Sequence, residues 1–341
     1  MELKQCIDKV FDSQQKIDPL KSHIFYDKDN IMSMTRWNYI WILYQTINSF
    51  SDTYNPYPSL IETVYSMALK TEEKVNKSCT GQITISPAPY FNIKTESGGF
   101  FSYVEANDEF NKFAIEFVDR VEKCKFTSLI INYDEYKEHN PEVTEDKGHV
   151  NALLIYNNKE DIHIALYEPH GSSCMEHNDF CQSKVEHINL FLLQLKNILE
   201  SRKLIIIEYP NITLHPRTSI SRLQGIQPSL RENKTTRVGY CLMYSLFWIY
   251  LVLHCFDTIK DKDITTTLTQ VEKLVLNKRD ITQIEFAITG FAVSVYNRYM
   301  ENIFENMDEK KKDFFLEKLE TMFRSTMIDQ KIQTSRKRKT L

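Results

Sequence analysis

The strongest constraint on the fold of this chain is a cysteine followed at once by a long apolar stretch. After Cys241, the residues from Leu242 to Leu253 are apolar or aromatic, apart from Ser245. A helix that crosses a bilayer needs about 20 apolar residues. This stretch is shorter, so it predicts a helix buried in a protein core rather than a membrane anchor. Because a helix that is apolar on all sides must be enclosed, other elements have to pack around it.

Cys241 has a chemically special position at the start of this predicted helix. The N-terminus of a helix carries roughly half a positive charge, which favours the thiolate form of a cysteine. The thiolate is the form of cysteine that acts as a nucleophile. An inert buried cysteine would also fit here, because free cysteine is among the most buried residue types. The partners of Cys241 must therefore distinguish the two interpretations.

Composition bounds the setting in which such a thiol could act. The chain has 341 residues and a net charge of −4, so no overall positive field favours nucleic acid. Its seven cysteines are an odd number scattered over the sequence, which is typical of a reduced, intracellular protein rather than a disulfide framework. Residues 1–6 have no apolar signal core. We therefore expect an intracellular location, in a host cytoplasm or nucleus, or in a virion if the protein is viral.

The order of predicted elements indicates an α+β fold with helices packed on a mixed sheet. The predicted strands are Ser128–Tyr133, Val150–Tyr156, Ile162–Tyr167 and Lys203–Tyr209, and the predicted core helices are Ala106–Cys124, Val185–Leu199 and the helix that begins at Cys241. The predicted organisation is a helical N-terminal region (1–95), a core (96–262), a helical C-terminal extension (263–330) and a basic tail without fixed structure (331–341).

Two of the predicted strands form a hairpin that brings together a histidine and a carboxylate. A turn centred between Asn158 and Lys159 places His149 directly opposite Glu168, with Cβ atoms about 4.5–5.5 Å apart. At that separation a carboxylate can hold an imidazole in the tautomer that a general base requires. The prediction depends on register, because a slip of one residue would turn one side chain to the other face.

An oxyanion hole would complete the machinery for attack on a carbonyl group. Such a hole commonly combines a backbone N–H with a side-chain amide. Gln224 and Gln227 lie 17 and 14 residues before Cys241, and the N–H of Cys241 itself would be available at a helix start. We favour Gln227 as the amide donor because it is nearer, and Gln224 remains the alternative.

The order histidine, acidic residue, glutamine, cysteine resembles the ubiquitin-like-protein protease superfamily, which includes the adenovirus proteinase and the SUMO-deconjugating enzymes. The local match is Gly148-His149-Val150-Asn151-Ala152-Leu153-Leu154-Ile155 followed by Leu166-Tyr167-Glu168-Pro169-His170-Gly171. The resemblance covers about residues 126–256. The sequence departs from the family pattern at Val150, where the family usually has tryptophan, and at Gly239, which precedes the cysteine rather than following it.

The resemblance implies a papain-like core, with a mixed sheet and a central helix headed by Cys241. It also implies a cysteine peptidase with a His149/Glu168/Cys241 triad and no metal or cofactor. The implied substrate is a conjugate of a ubiquitin-like modifier or a viral precursor protein, and a large DNA virus is a compatible source. Two alternatives stay open. One is an acetyltransferase of the bacterial effector type that uses the same triad with coenzyme A. The other is a non-catalytic interaction protein built on a decayed protease fold.

Two further groups of residues carry weaker signals. Cys174, His177, Cys181 and His187 are zinc-compatible ligand types, but a standard finger spacing is absent and we interpret them as incidental. The tail residues Arg336, Lys337, Arg338 and Lys339 could serve nuclear import or contact nucleic acid. Because the rest of the chain is acidic, we expect nucleic-acid contact, if any, through this tail alone. No membrane partner is expected.

Overall fold

The computed structural model describes residues 2–17, 60–69, 78–85, 100–102, 108–135, 147–169, 179–202, 204–209, 241–258 and 281–305, with residues 309, 310, 313 and 317. The helices in these ranges are α1 (Leu3–Gln15), α2 (Leu60–Leu69), α3 (Asp108–Lys123), α4 (Asp179–Ser201), α5 (Cys241–Cys255) and α6 (Ile281–Glu305). The strands are β1 (Ser78–Ile85), β2 (Phe100–Ser102), β3 (Phe126–Glu135), β4 (Lys147–Asn157), β5 (Asp161–Tyr167) and β6 (Ile205–Tyr209). A 3₁₀ turn, Phe256–Thr258, follows α5.

The six strands form one mixed sheet in the order β2-β1-β3-β4-β5-β6. Strand β4 runs antiparallel to both of its neighbours, β3 and β5. The outer pairs are parallel, with β1 beside β2 and β3 and with β6 beside β5. The α+β class and the mixed sheet predicted from the sequence are therefore present.

Strand β1 corrects the predicted organisation of the N-terminal part of the chain. It lies inside residues 1–95, which we assigned to a helical region, and it pairs along its whole length with the inner strand β3. Its sequence, SCTGQITI, alternates polar residues with apolar residues or glycine, which is the period-two pattern of a half-buried strand. The prediction of a helical region overlooked this alternation, and the pairing with β3 completes the strand. The predicted boundary at residue 95 falls between two strands, β1 and β2, that pair with each other.

The two faces of the sheet are covered by different sets of helices. Alternate residues of β4 contribute to the two cores, with Val150, Ala152 and Leu154 in the first and Leu153 and Ile155 in the second. The first core includes residues of α1, α2, α5 and α6, and the second includes residues of α3 and α4. Helices from the predicted N-terminal and C-terminal segments thus share one core with α5.

Helix α5 is the central helix of the first core, as the sequence predicts. All of its residues except His254 are buried. In the described part of the chain, Cys241–Thr258 is the segment long and apolar enough to cross a membrane, and 83% of it is buried inside the protein. Its apolar surface is therefore accounted for by the sheet on one side and by α1, α2 and α6 around it.

The cysteines correct a second expectation. Cys6 is disulfide-bonded to Cys255 at the end of α5, and Cys79 of β1 is bonded to Cys124 after α3. We expected reduced cysteines because their number is odd and their spacing shows no framework. The paired residues are 249 and 45 positions apart, and pairing at such separations cannot be deduced from spacing. The intracellular location stays a prediction.

Helices α1 and α6 approach so closely that one position has no room for a side chain. A Cβ atom added to Gly290 would lie 1.9 Å from the backbone oxygen of Gln14. The neighbouring hydroxyl of Ser294 donates to Gln14 Oε1 at 3.2 Å. The contact joins residues 276 positions apart in sequence, so a glycine in the middle of a helix is required by tertiary packing.

We predict that Gly290→Ala destabilises the protein by about 2 kcal/mol, because overpacking against a fixed backbone costs about 1–3 kcal/mol. The sign is diagnostic, since Gly→Ala at an open helical site stabilises by about 1 kcal/mol. Urea denaturation followed by circular dichroism measures the difference. Arg298→Ala on the exposed side of α6 is the control and should change the free energy of unfolding by less than about 1 kcal/mol. A Gly290→Ala variant as stable as the wild type would contradict the close approach.

Candidate active site

A histidine and a glutamate form a buried pair at one end of the hairpin β4–β5. His149 Nε2 lies 2.6 Å from Glu168 Oε1, and the two residues are only 3% and 5% exposed. This short distance is typical of a hydrogen bond assisted by charge. The contact predicted between these two residues is present.

The register that produces this contact differs by two residues from the predicted one. Asn157 pairs with Ile162 and Ala152 with Tyr167, so Glu168 comes opposite Asn151 and diagonal to His149. Side chains alternate with a period of two, and a shift of two residues therefore keeps all three on the same face. The two functional groups still meet because diagonal neighbours are within reach of long side chains.

The turn explains the shift of register. The backbone N–H of Asn158 donates to the oxygen of Asp161 at 3.2 Å, so the turn is centred on Lys159 and Glu160 rather than on Asn158 and Lys159. The side-chain oxygen of Asn158 accepts the N–H groups of Glu160 and Asp161. Lys159 adopts a left-handed conformation with φ of 80°. Asparagine side chains that bond to their own backbone thus set the turn.

Asn151 is a third member of the site, and it was not among the residues predicted from the sequence. Its side-chain nitrogen donates to Glu168 Oε2 at 2.8 Å, whereas His149 contacts the other carboxylate oxygen, Oε1. The same nitrogen is 3.4 Å from the backbone oxygen of Tyr167. The available signal was its position two residues after His149, which places both on one face of a strand.

Three contacts define how helix α5 lies along β4 and β5. The hydroxyl of Ser245 donates to the backbone oxygen of Val150 at 3.4 Å. Farther along, the ring of Trp248 stacks on Tyr167 with centroids 4.8 Å apart, and Phe256 contacts Tyr156 at the far end of β4. The helix therefore runs in the same direction as β4, and its N-terminus lies at the end of the sheet where β4 begins.

Cys241 consequently lies at the same end of the sheet as the histidine–glutamate pair. It is four residues before Ser245, one helical turn or about 6 Å farther along the axis. Cys241 is buried, 4% exposed, and carries a thiol rather than a disulfide sulfur. As the first residue of α5, its sulfur sits at the positive end of the helix dipole.

Strand alternation determines which face of the sheet each group occupies. Val150 belongs to the core that contains α5, so the neighbouring residues His149 and Asn151 point from β4 toward the other face. The last β4–β5 pair in the described sheet is Ala152 with Tyr167. At that end β4 stays paired with β3, with His149 opposite Tyr133. The imidazole therefore points to the face opposite helix α5, whereas Cys241 belongs to the core on the α5 face, and both lie at the end of the sheet where β4 begins.

This arrangement has a definite chemical capacity. The imidazole presents Nε2 to the carboxylate, so proton exchange with a thiol would take place at Nδ1. A carboxylate bonded to the histidine stabilises the imidazolium that forms when the ring accepts a proton. A thiol at a helix N-terminus loses its proton more readily than an ordinary thiol.

A second histidine–carboxylate pair lies at the opposite end of the hairpin. His163 Nε2 is 2.9 Å from Asp161 Oδ1, and His163 packs against the ring of Tyr156. Burial raises the pKa of Tyr156, and the negative charge of Asp161 adds to the rise. This pair is near the C-terminal end of α5, far from Cys241, and it offers a matched control for the first.

Several predicted residues lie outside the described part of the chain. They are Gln224, Gln227, Cys174, His177, Arg336, Lys337, Arg338 and Lys339, together with the side chains of Cys181 and His187. Within the described residues, no group of three or more potential metal ligands comes together. The oxyanion donor, the incidental zinc ligands and the nucleic-acid contact of the tail stay predictions.

Comparisons with known proteins give few relatives. No protein-family model matches the chain, and no curated protein matches it by sequence. Two solved structures of the Legionella pneumophila effector protein RavZ are similar in part. RavZ in complex with human LC3B is 12% identical with a TM-score of 0.29, over 74% of this chain and 70% of RavZ. A structure of RavZ residues 1–487 is 12% identical with a TM-score of 0.23, over 62% and 67%. Because these TM-scores are low, the site is interpreted from its own geometry.

We predict strong energetic coupling between His149 and Glu168. Removing one partner of a buried ion pair costs about 3–5 kcal/mol, because the other charge is left buried alone. His149→Leu and Glu168→Leu should therefore each be destabilising, and the double variant should cost at least about 2 kcal/mol less than their sum. Urea denaturation of the four proteins measures the coupling.

The corresponding cycle at His163 and Asp161 is the control. Asp161 lies in the turn and its side chain is 23% exposed, so we expect a smaller coupling there. Strictly additive costs at His149 and Glu168 would rule out the bond between them.

Proposed function

We propose that this chain is a cysteine peptidase that hydrolyses peptide or isopeptide bonds in a protein substrate. One observation carries the proposal. The bond between His149 and Glu168 lies at the end of the sheet where Cys241 begins the central helix. This juxtaposition supplies a nucleophile, a base and a group that orients the base. A papain-like core, in which a cysteine-headed helix packs on a mixed sheet, fits the same arrangement.

The reaction begins with transfer of the Cys241 proton to His149 Nδ1. Glu168 stabilises the resulting imidazolium through Nε2, and the thiolate attacks the carbonyl carbon of the scissile bond. The tetrahedral oxyanion accepts hydrogen bonds from the N–H of Cys241 and from the amide of Gln227 or Gln224. His149 then returns its proton to the leaving amine as the C–N bond breaks, which leaves a thioester on Cys241.

Water completes the cycle. His149, neutral again, removes a proton from a water molecule whose oxygen attacks the thioester carbonyl. Collapse of the second tetrahedral intermediate releases the carboxylic acid and the thiolate, which regains its proton from the His149 imidazolium. Every proton is carried by the imidazole, so the proposed mechanism needs neither a metal nor an organic cofactor.

The proposed substrate is a protein that ends in, or is cleaved after, a glycine-rich segment. Conjugates of ubiquitin-like modifiers and viral precursor proteins both have this property. A buried nucleophile favours such a segment, because residues without side chains can enter a narrow approach to Cys241. The proposed location is intracellular, where both kinds of substrate occur.

Probe labelling tests the nucleophile and the base together. We expect a vinyl sulfone of a ubiquitin-like modifier, or a peptide vinyl sulfone ending in Gly-Gly, to attach to Cys241 in peptide mapping. Cys241→Ala should abolish labelling. His149→Ala should slow it by about 10²-fold or more, since general base catalysis contributes about 10²–10⁴-fold.

His163→Ala is the matched control, because it removes the other histidine that pairs with a carboxylate in the same hairpin. Equal loss of labelling in His149→Ala and His163→Ala would attribute the effect to folding and overturn the proposed base. Incubation with acetyl coenzyme A gives a second readout. An acetyl group on Cys241 that passes to a protein lysine would replace the peptidase by an acyltransferase. Failure of every probe to modify Cys241 would leave a non-catalytic interaction protein.

A further inference from the structure

Asn151 is a fully buried polar residue whose place in the fold is not explained by packing. Its exposed fraction is 0%, and Leu153 and Ile155, on the same face of β4, belong to the apolar core. A leucine has nearly the same branched shape as asparagine and would fill the same space. The amide must therefore have a role that a leucine could not fulfil.

The hydrogen bonds of Asn151 point to that role. Its nitrogen reaches Glu168 Oε2 at 2.8 Å and the backbone oxygen of Tyr167 at 3.4 Å. The orientation of the amide follows from chemistry, because the opposite orientation would put two oxygens in contact. Glu168 is thus held at both oxygens, with Oε1 bonded to His149 and Oε2 to Asn151.

A carboxylate held at one oxygen alone is poorly oriented. The terminal torsion of glutamate is broad and roughly two-fold, so a single bond leaves the plane of the carboxylate free to rotate. The second bond fixes that plane. Because Asn151 also contacts the backbone of Tyr167, the carboxylate is fixed relative to both β4 and β5.

The oxygen of the Asn151 amide shows that this arrangement lowers the stability of the fold. Asn151 Oδ1 is buried and has no hydrogen-bond partner in the described part of the chain. A buried acceptor without a partner is destabilising, whereas an apolar side chain of the same shape would avoid the loss. A residue that weakens the fold and bonds to a proposed catalytic group is most simply explained by the needs of that group.

We propose that Asn151 is a positioning residue that holds the carboxylate of Glu168 in the orientation required to stabilise the His149 imidazolium. The inference rests on the proposed function and deepens it. It adds a fourth residue, which bonds to the carboxylate that contacts His149. The side-chain nitrogen of Asn151 bonds to Glu168 and to the backbone of Tyr167. It acts through Glu168, and its removal should change the protonation behaviour of the site rather than substrate contacts.

The test is the pH dependence of Cys241 alkylation by iodoacetamide, followed by peptide mass spectrometry. The thiolate reacts, so the rate reports how much of Cys241 is ionised at each pH. In the wild type we expect a midpoint below that of an ordinary thiol, about 8.5. In Asn151→Leu we expect the midpoint to move up by about one pH unit, because a less stabilised imidazolium supports less thiolate. Asn151→Ala should shift it in the same direction, and it serves if the leucine variant does not fold.

Asn157→Leu provides the matched control in the same strand. Asn157 also donates from its side-chain nitrogen to two acceptors, the backbone oxygens of Val121 and Glu122, but at the far end of β4. It should lower thermal stability and leave the alkylation midpoint unchanged. A midpoint that stays at the wild-type value in both Asn151 variants would overturn the positioning role.

The failure of this inference can be told apart from failure of the proposed function. If the wild-type midpoint is that of an ordinary thiol and His149→Ala does not move it, Cys241 has no base and the proposed function fails. If His149→Ala moves the midpoint but the Asn151 variants do not, the proposed function stands and the positioning role fails.

Discussion

The packing of helix α5 against strands β4 and β5 is the interaction on which the rest of the structure depends. The helix is buried on all sides, so it fixes the sheet on one side and the helices α1, α2 and α6 on the other. Its bond to Val150 and its stacking contact with Tyr167 involve the residues next to His149 and Glu168. The contacts that build the core therefore also determine where the thiol lies relative to the histidine.

The periodicity of strands explains why the sequence predicted the contact between His149 and Glu168 but not the register of the hairpin. The turn was placed one residue too early, and every cross-strand partner was consequently shifted by two. His149 and Glu168 still meet, because an even shift preserves the face of each side chain. Asn151 was missed for the same reason, since in the predicted register it was not the residue opposite Glu168. The position of the turn is set by asparagine side chains and by the left-handed conformation of Lys159. The residue types alone are compatible with several positions of the turn.

Features that arise from tertiary contact were beyond the sequence. The period-two pattern of strand β1 is visible in its sequence, but its pairing with β3 is a tertiary contact. The bond between Cys6 and Cys255 joins the first described helix to the end of the central one, and nothing local to either cysteine indicates it. Gly290 would be interpreted as a weak point in a helix, yet the approach of Gln14 excludes any larger residue. In contrast, the burial of helix α5 followed directly from its composition, because a helix with apolar residues on every side must be enclosed by other elements.

The energetics of the polar groups separate the candidate site from ordinary core structure. A buried ion pair is weak evidence for stability, because apolar residues of the same volume often serve as well or better. His149, Glu168 and Asn151 replace such residues at the rim of an apolar core, and Asn151 leaves an acceptor without a partner. The pair of His163 and Asp161 costs less desolvation free energy, since Asp161 lies in a partly exposed turn. A cost concentrated at the end of the sheet where Cys241 begins α5 is expected if these three residues are retained for chemistry on that thiol.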